Sequence, residues 1–291
     1  MMLTKNGQII IGIVGLGTVG DAVRGFFEGR GDSLRIYDTE RGLGSQRSLN
    51  EAELVFVCVA APFRPHTGFD DSALEQAISL LDGSKIIVIK STVPPGTTEA
   101  YQIRYSQHCF LFNPEFLREA HARTDFVRPD RQIVGYTAQS RHLAEALLAM
   151  LPDAAYRSIM PSREAEMAKY MTNSFLALKV TFANEIYDLC AALDIDYDLV
   201  RDAVAADPRI GTSHLDVLAD GYRGYAGSHL PKDTKALLEL SERLSVPLRL
   251  LRTADRVNAS LLPPGEEGAG LHMLSFSPDS AREEAVEERA A

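Results

Sequence analysis

Short, largely apolar runs alternate with amphipathic stretches through the first half of the chain. The apolar runs are 9–14, 34–37, 54–59, 86–89, 109–112 and 132–134. Unbroken apolar strands are covered on both faces, so these runs predict a parallel sheet with helices on each side. The intervening stretches 19–27, 72–81 and 140–150 carry apolar residues at helical spacing. Beyond about residue 161 the period changes. Met167, Tyr170, Met171, Phe175, Leu178, Phe182 and Ile186 recur at mostly three- and four-residue steps, which predicts one long helix over 162–194. Ser162 followed by Glu164 and Glu166 suits an acidic helix start. At about 1.5 Å per residue such a helix is about 50 Å long. That is enough to project from one domain, and the expectation is a homodimer packed through it. Further helices are expected at 197–205, 234–244 and 248–262. Pro263, Pro264 and Gly265 end regular structure. The expected division is therefore an α/β domain over 1–160, a helical domain over 161–264, and a disordered tail over 265–291.

The first run leads into Gly15-Leu16-Gly17-Thr18-Val19-Gly20 and then a helix, and Asp38 closes the second run. The glycines permit a tight turn, backbone approach to a pyrophosphate and close helix–strand packing, and the phosphate rests on the helix N-terminus. This context makes the motif that of a doubly wound, Rossmann-type sheet. Gly15, Gly17, Thr18, Val19, Gly20 and Asp38, together with Thr92 after a later strand, are the candidate cofactor residues. Asp38 accepts hydrogen bonds from ribose hydroxyls and repels a 2′-phosphate, which favours NAD over NADP, with Arg41 nearby softening that preference.

Composition narrows the function. A net charge of −10 opposes binding to nucleic acid or anionic lipid. No apolar run approaches the ~20 residues that cross a bilayer, and the first eight residues are too short and polar for a secretory signal, so the expected location is cytoplasmic. Cys58, Cys109 and Cys190 are scattered in apolar segments and read as reduced thiols. No histidine spacing suggests a metal.

A second set of residues carries chemistry. Thr92 follows one strand and Glu115 and Glu119 follow the next, at the carboxyl edge where open α/β sheets bind ligands. Lys169 and Asn173, four apart, project from one helix face and together suit a developing oxyanion. These residues fall in ordered blocks: 90–98, with Thr92; 113–120, with Glu115, Phe116, Leu117 and Glu119; 164–169, with Lys169, followed by Asn173; 182–185; 209–211, with Arg209; and 224–233, with Tyr225, His229 and Asp233. Across roughly residues 8 to 260 the chain resembles the UDP-glucose/GDP-mannose 6-dehydrogenase family. The resemblance implies that Lys169 and Asn173 stabilise oxyanions, that Thr92 and Asp233 hold or activate water, and that Glu119 assists acid–base steps. It also implies that Glu115, Phe116, Leu117 and Tyr225 contact a sugar or nucleotide-like substrate, and that Arg209 reaches the neighbouring subunit's site.

The pattern breaks twice. The family's loop reads Gly-Phe-Gly-Gly-x-Cys-x-Pro-Lys-Asp, whereas this chain has Gly224-Tyr225-Ala226-Gly227-Ser228-His229-Leu230-Pro231-Lys232-Asp233. The family thiolate forms a thioester on the way to an acid. Imidazole has no equivalent, but with an unperturbed pKa of about 6.5 it suits a general base. The resemblance also stops near residue 260, where family members continue into a further nucleotide-holding domain. The expected activity is thus hydride transfer from a hydroxyl to NAD, ending at the carbonyl. Alternatives are full oxidation through an aldehyde hydrate, an epimerase or dehydratase that returns the hydride from retained NAD, and a non-catalytic NAD-binding partner of a complete dehydrogenase.

Overall fold

The computed structural model describes residues 9–64, 68–218 and 221–262. The chain runs β1 (Ile10–Val14), α1 (Thr18–Gly29), β2 (Ser33–Tyr37), α2 (Gln46–Leu49), β3 (Leu54–Val57), β4 (Phe63–Arg64), β5 (Gly68–Phe69), α3 (Ser72–Ser79), β6 (Ile86–Ile89), α4 (Thr97–Arg104) and β7 (Cys109–Phe112). It continues through α5 (Ala122–Val127), β8 (Arg131–Tyr136), α6 (Ala144–Met150), β9 (Tyr156–Pro161), α7 (Ser162–Ala192), α8 (Tyr197–Ala205), α9 (Leu230–Arg243) and α10 (Arg249–Leu261). The tail expected at 265–291 lies outside the described residues.

Seven strands form one sheet in the order β2-β1-β3-β6-β7-β8-β9, and β4 and β5 form a separate small hairpin. Alternate residues of the apolar strands serve opposite faces. Val55, Val57, Ile87, Ile89, Phe110 and Phe112 pack against Leu74 and Ile78 of α3 and Tyr101 of α4. Ile11, Ile13, Leu54, Phe56, Val88 and Leu111 pack against Val23 and Phe27 of α1, Phe126 of α5 and Leu147 of α6. Removal of these side chains from water on both faces is the main stabilisation, about 1.5–3 kcal/mol for each fully buried large one. The chain leaves β1 towards β2 on one side and pairs β1 with β3 on the other. The crevice outside the carboxyl ends of β1 and β3 is therefore a topological switch point, where open sheets bind ligands.

The sheet is not parallel throughout. β8 pairs antiparallel with β7, through Leu111↔Tyr136 and Phe112↔Gly135, and β9 then runs parallel to β8. The connection from β7 to β8 consequently stays at one edge of the sheet instead of crossing a face, and it leaves Glu115 and Glu119 there. Gly135 lets the start of α7 press on β8. A Cβ at that position would stand 2.9 Å from both Ala165 Cβ and Ser162 Cα.

The long helix forms over Ser162–Ala192, with its amphipathicity turned round. Ser162, Glu166, Lys169, Asn173, Ser174, Thr181 and Asn184 face inward and are buried, together with Ala165, Tyr170, Ala177 and Ala183. Met167, Met171, Phe175, Phe182 and Leu189 are exposed. Of the apolar positions expected to share one face, Tyr170 alone lies fully inside, at 2% exposure, while Leu178 and Ile186 are half-buried. α9 and α10 pack on α7 and on each other. Among the described residues no helix is long and apolar enough to cross a membrane.

Candidate active site

The glycine turn lies at the switch point. Gly15 N–H bonds Tyr37 O at 2.9 Å, tying the turn to the end of β2. Gly20 permits the close approach of α1 to the turn, since a Cβ there would fall 1.9 Å from Gly15 O. Gly17 differs: it stands at the N-cap of α1 with no side-chain cap, and a Cβ added to it would meet nothing within 4 Å. That open space belongs to a cleft of about 480 Å³. Leu16, Gly17, Thr18, Asp21 and Arg41 form one wall and residues 119–124 the other. Uncapped helix amides facing a cleft fit an anionic diphosphate. Val19 is half-buried and packs into the sheet core, so of the turn residues it supports α1 instead of lining the cleft.

Asp38 follows β2 and is 8% exposed. Its Oδ2 accepts from Leu16 N at 2.6 Å and its Oδ1 from Arg41 N at 2.8 Å. Burial raises the carboxyl pKa, but the backbone N–H groups of Leu16, Arg41 and Glu40 and the Arg41 charge outweigh it and hold the group below its ordinary range. An ionised carboxylate with one amide on each oxygen keeps lone pairs for ribose hydroxyls.

The second group is assembled by α7, α9 and the segment after β7. Lys169 Nζ meets Glu115 Oε1 at 2.8 Å, with both side chains 4% exposed. Glu115 Oε2 accepts from Leu117 N at 2.8 Å. Burial opposes the Glu115 charge, yet Lys169 outweighs it and the carboxyl is held down at about 2. One turn further along α7, Asn173 Nδ2 donates to Asp233 Oδ2 at 2.5 Å, and Lys232 Nζ meets Asp233 Oδ1 at 2.5 Å. His229 stands at the N-cap position of α9 without a side-chain cap bond, and its Nδ1 lies 4.0 Å from Glu115 Oε1. That distance is ion-pair range and too long for a hydrogen bond. The imidazole is 36% exposed, while the Lys169–Glu115 pair behind it is buried. Thr92 is buried just past β6.

Two further buried residues, Lys90 and Cys58, stand near the turn and this group; sequence reasoning gave Lys90 no role and read Cys58 only as a reduced thiol. Lys90 is buried at the end of β6 and donates to Asn113 Oδ1 at 2.6 Å. Burial pushes its amine down to about 8, with Glu115 opposing the shift and Lys169 reinforcing it. Lys90 also feels Cys58, whose thiol burial pushes up to about 12. Cys58 Cβ in turn lies 3.3 Å from where a Gly20 Cβ would stand. The visible signal was a lysine placed directly after the apolar run 86–89, where a charge has no reason to be unless it is held.

Residues 40–151 match the NAD binding domain of the UDP-glucose/GDP-mannose dehydrogenase family, and residues 163–260 match that family's central domain. The chain belongs to the UDP-glucose/GDP-mannose dehydrogenase family. It is similar to the UDP-glucose 6-dehydrogenase of Pseudomonas aeruginosa, at 36% identity over 227 residues, covering 72% of this chain and 49% of that protein. The UDP-glucose 6-dehydrogenase of Rhizobium meliloti is 34% identical over 223 residues, covering 71% of this chain and 50% of that protein. The chain spans about half the length of these curated relatives. Among solved structures, the UDP-glucose dehydrogenase of Pyrobaculum islandicum superposes with a TM-score of 0.79 at 29% identity, covering 89% of this chain and 70% of that one. A ternary complex of GDP-mannose dehydrogenase from Pseudomonas aeruginosa gives 0.61 at 25% identity, covering 86% and 68%. The doubly wound fold and the NAD binding domain are thereby those of the UDP-glucose/GDP-mannose dehydrogenase family.

Within that frame several expected site residues stand apart from Lys169. Glu119 begins a short 3-10 turn, is exposed and lines the cleft beside the glycine turn; the carboxylate beside Lys169 is Glu115. Residue 115 lies three residues past the buried end of β7 and is covered by α7, whereas residue 119 has reached the outer mouth. Tyr225 is 4% exposed and packs on Ala177 and Val180 instead of facing the pocket, while its N–H and C=O both bond the Asn258 amide. Its place is to fasten the His229 loop to α10. Phe116 is half-buried, with the Arg131 guanidinium 3.7 Å and Lys169 Nζ 5.5 Å from its ring centre, and Leu117 serves Glu115 through its backbone. Arg209 is exposed and paired with Asp207 at 2.5 Å, outside the group.

Proposed function

We propose that this chain is an NAD-dependent oxidoreductase that oxidises a hydroxyl of a sugar, nucleotide-sugar or nucleotide-like substrate to a carbonyl and stops there. Gly15, Gly17, Thr18 and Gly20 hold the cofactor's diphosphate and Asp38 its adenosine ribose, with Val19 supporting the helix and Thr92 at the inner end. NAD, when bound, supplies the hydride acceptor. The observation that carries the reading is His229, a half-exposed imidazole 4.0 Å from Glu115 and beside the buried Lys169–Glu115 pair, at the loop position where the family has cysteine.

His229 takes the hydroxyl proton as the carbon is oxidised. The ionised Glu115 stands beside the imidazolium so formed, in the manner of the carboxylate behind a triad histidine. Lys169 has three N–H donors and gives one to Glu115, leaving others for the oxygen on which negative charge grows. Asn173, its amide fixed by Asp233, presents the second polar group, and Lys232 keeps Asp233 in place. No cysteine stands in the loop 224–233, so the thioester that carries a second oxidation has no nucleophile to form on.

The exposed apolar stripe of α7 is the dimer surface in this reading, and Arg209 completes the site of the second copy. Exhaustive conversion with UDP-glucose and GDP-mannose as probe substrates tests the chemistry. One NADH per molecule consumed, with a product that carbonyl reagents trap, is the expected result. Two NADH and a carboxylate would refute it.

A further inference from the structure

The outer wall of the cofactor cleft carries a guanidinium whose present partner lies on the opposite wall. Arg123, on α5, is 70% exposed and meets Asp21 of α1 through Nε at 2.9 Å and Nη2 at 2.6 Å. Both residues line the cleft that contains Gly17 and Thr18. Asp21 sits in the first turn of α1, so its charge lies close to where a diphosphate on the helix amides would settle. A bare carboxylate there opposes that diphosphate. Asp21, however, has a second partner, Arg24 Nη2 at 2.5 Å on its other oxygen. Arg123 is therefore free to leave without exposing an uncompensated carboxylate. Its planar fork matches a phosphate as well as a carboxylate.

We propose that Arg123 is a cofactor-binding residue: it passes from Asp21 to a non-bridging oxygen of the dinucleotide's diphosphate and clamps it against the α1 amides, while Arg24 retains Asp21. The proposal rests on the NAD reading above and adds a ligand from the wall facing the glycine turn. No bond is made or broken; one ion pair is exchanged for another. The diphosphate is thus held between the two walls, with Arg123 turning its exposed side chain on an α5 that stays packed on α1 through Phe26 and Phe126. Because Arg123 is exposed, its contribution is sensitive to salt.

Titration calorimetry of the full chain with NAD tests this, using Asp21→Asn as the background. In that background Arg123 has no carboxylate to tether, so any structural role of the Arg123–Asp21 ion pair is already gone. The clamp predicts that Asp21→Asn binds NAD at least as tightly as the parent. Adding Arg123→Ala should then weaken binding by roughly tenfold at low salt, with the difference shrinking as salt rises. Arg123→Lys should recover part of the loss. Equal affinities for Asp21→Asn and Asp21→Asn/Arg123→Ala, in proteins that melt together, would overturn the clamp and leave the NAD reading intact. An unmodified protein that takes up no NAD would overturn both.

Discussion

Lys169 and Glu115 are opposite charges held almost wholly out of water at 2.8 Å, and what they cost when separated differs from what they contribute together. Removing one partner strands a buried charge, so Lys169→Ala is expected to lower unfolding free energy by about 3–5 kcal/mol, measurable by urea denaturation. The pair also sets an acid limit. The folded Glu115 carboxyl is depressed from its ordinary 4.5 to about 2, so its contribution is complete above about 4.5 and is lost as pH falls towards 2. His229 behaves differently because it is half-exposed and held by no hydrogen bond to Glu115. His229→Asn should leave the melting temperature within a few degrees and lower kcat by about 100-fold or more. It should also remove the acid limb of the kcat/KM profile, which a purely structural residue would leave in place. His229→Cys tests the same site from the other side, since a thiol there restores the nucleophile and should raise the yield towards two NADH per substrate.

At the scale of elements, the junction of α4 with α7 depends on one buried carboxylate. Glu166 accepts from Gly96 N, Thr98 N and Thr98 Oγ1 at 2.5, 2.8 and 2.6 Å, capping α4 from a different helix. Burial dominates over these donors and raises the carboxyl to about 7. A raised acid stabilises most below its unfolded value of 4.5, and that stability is lost as pH rises to about 7. Glu166→Gln should therefore flatten the decline in stability between pH 4.5 and 7 relative to the parent, as read from denaturation midpoints. Such cross-element partnerships mark where the sequence stopped being legible. The central strands were readable because each is apolar at every position, and α1 because a glycine turn precedes it. β9 was not, because an edge strand of sequence Tyr-Arg-Ser-Ile-Met-Pro is half-exposed and carries no apolar run. α4 was missed because it buries Thr98, Tyr101 and Gln102 instead of an apolar stripe. The candidate site residues are read from their order along the chain, but which carboxylate meets Lys169 depended on the edge connection left by an antiparallel β8.

For the whole molecule, α7 explains why a helix with polar residues inside and Met171, Phe175 and Phe182 outside is stable. The inner face serves the site, and in our reading the outer face is covered by a second copy. Sedimentation at micromolar concentration should give a dimer, and Phe175→Glu, which places a charge on the stripe at 59% exposure, should give a folded monomer. The central claim is that the glycine-turn cleft and the Lys169–Asn173–His229 group are two halves of one site, with Lys90 and Cys58 buried nearby. A crystal structure of the NAD complex tests it most directly. The claim predicts a nicotinamide ring seated against Lys169, Asn173 and His229, with the diphosphate over Gly17; a dinucleotide bound with its nicotinamide end remote from those three side chains would contradict it.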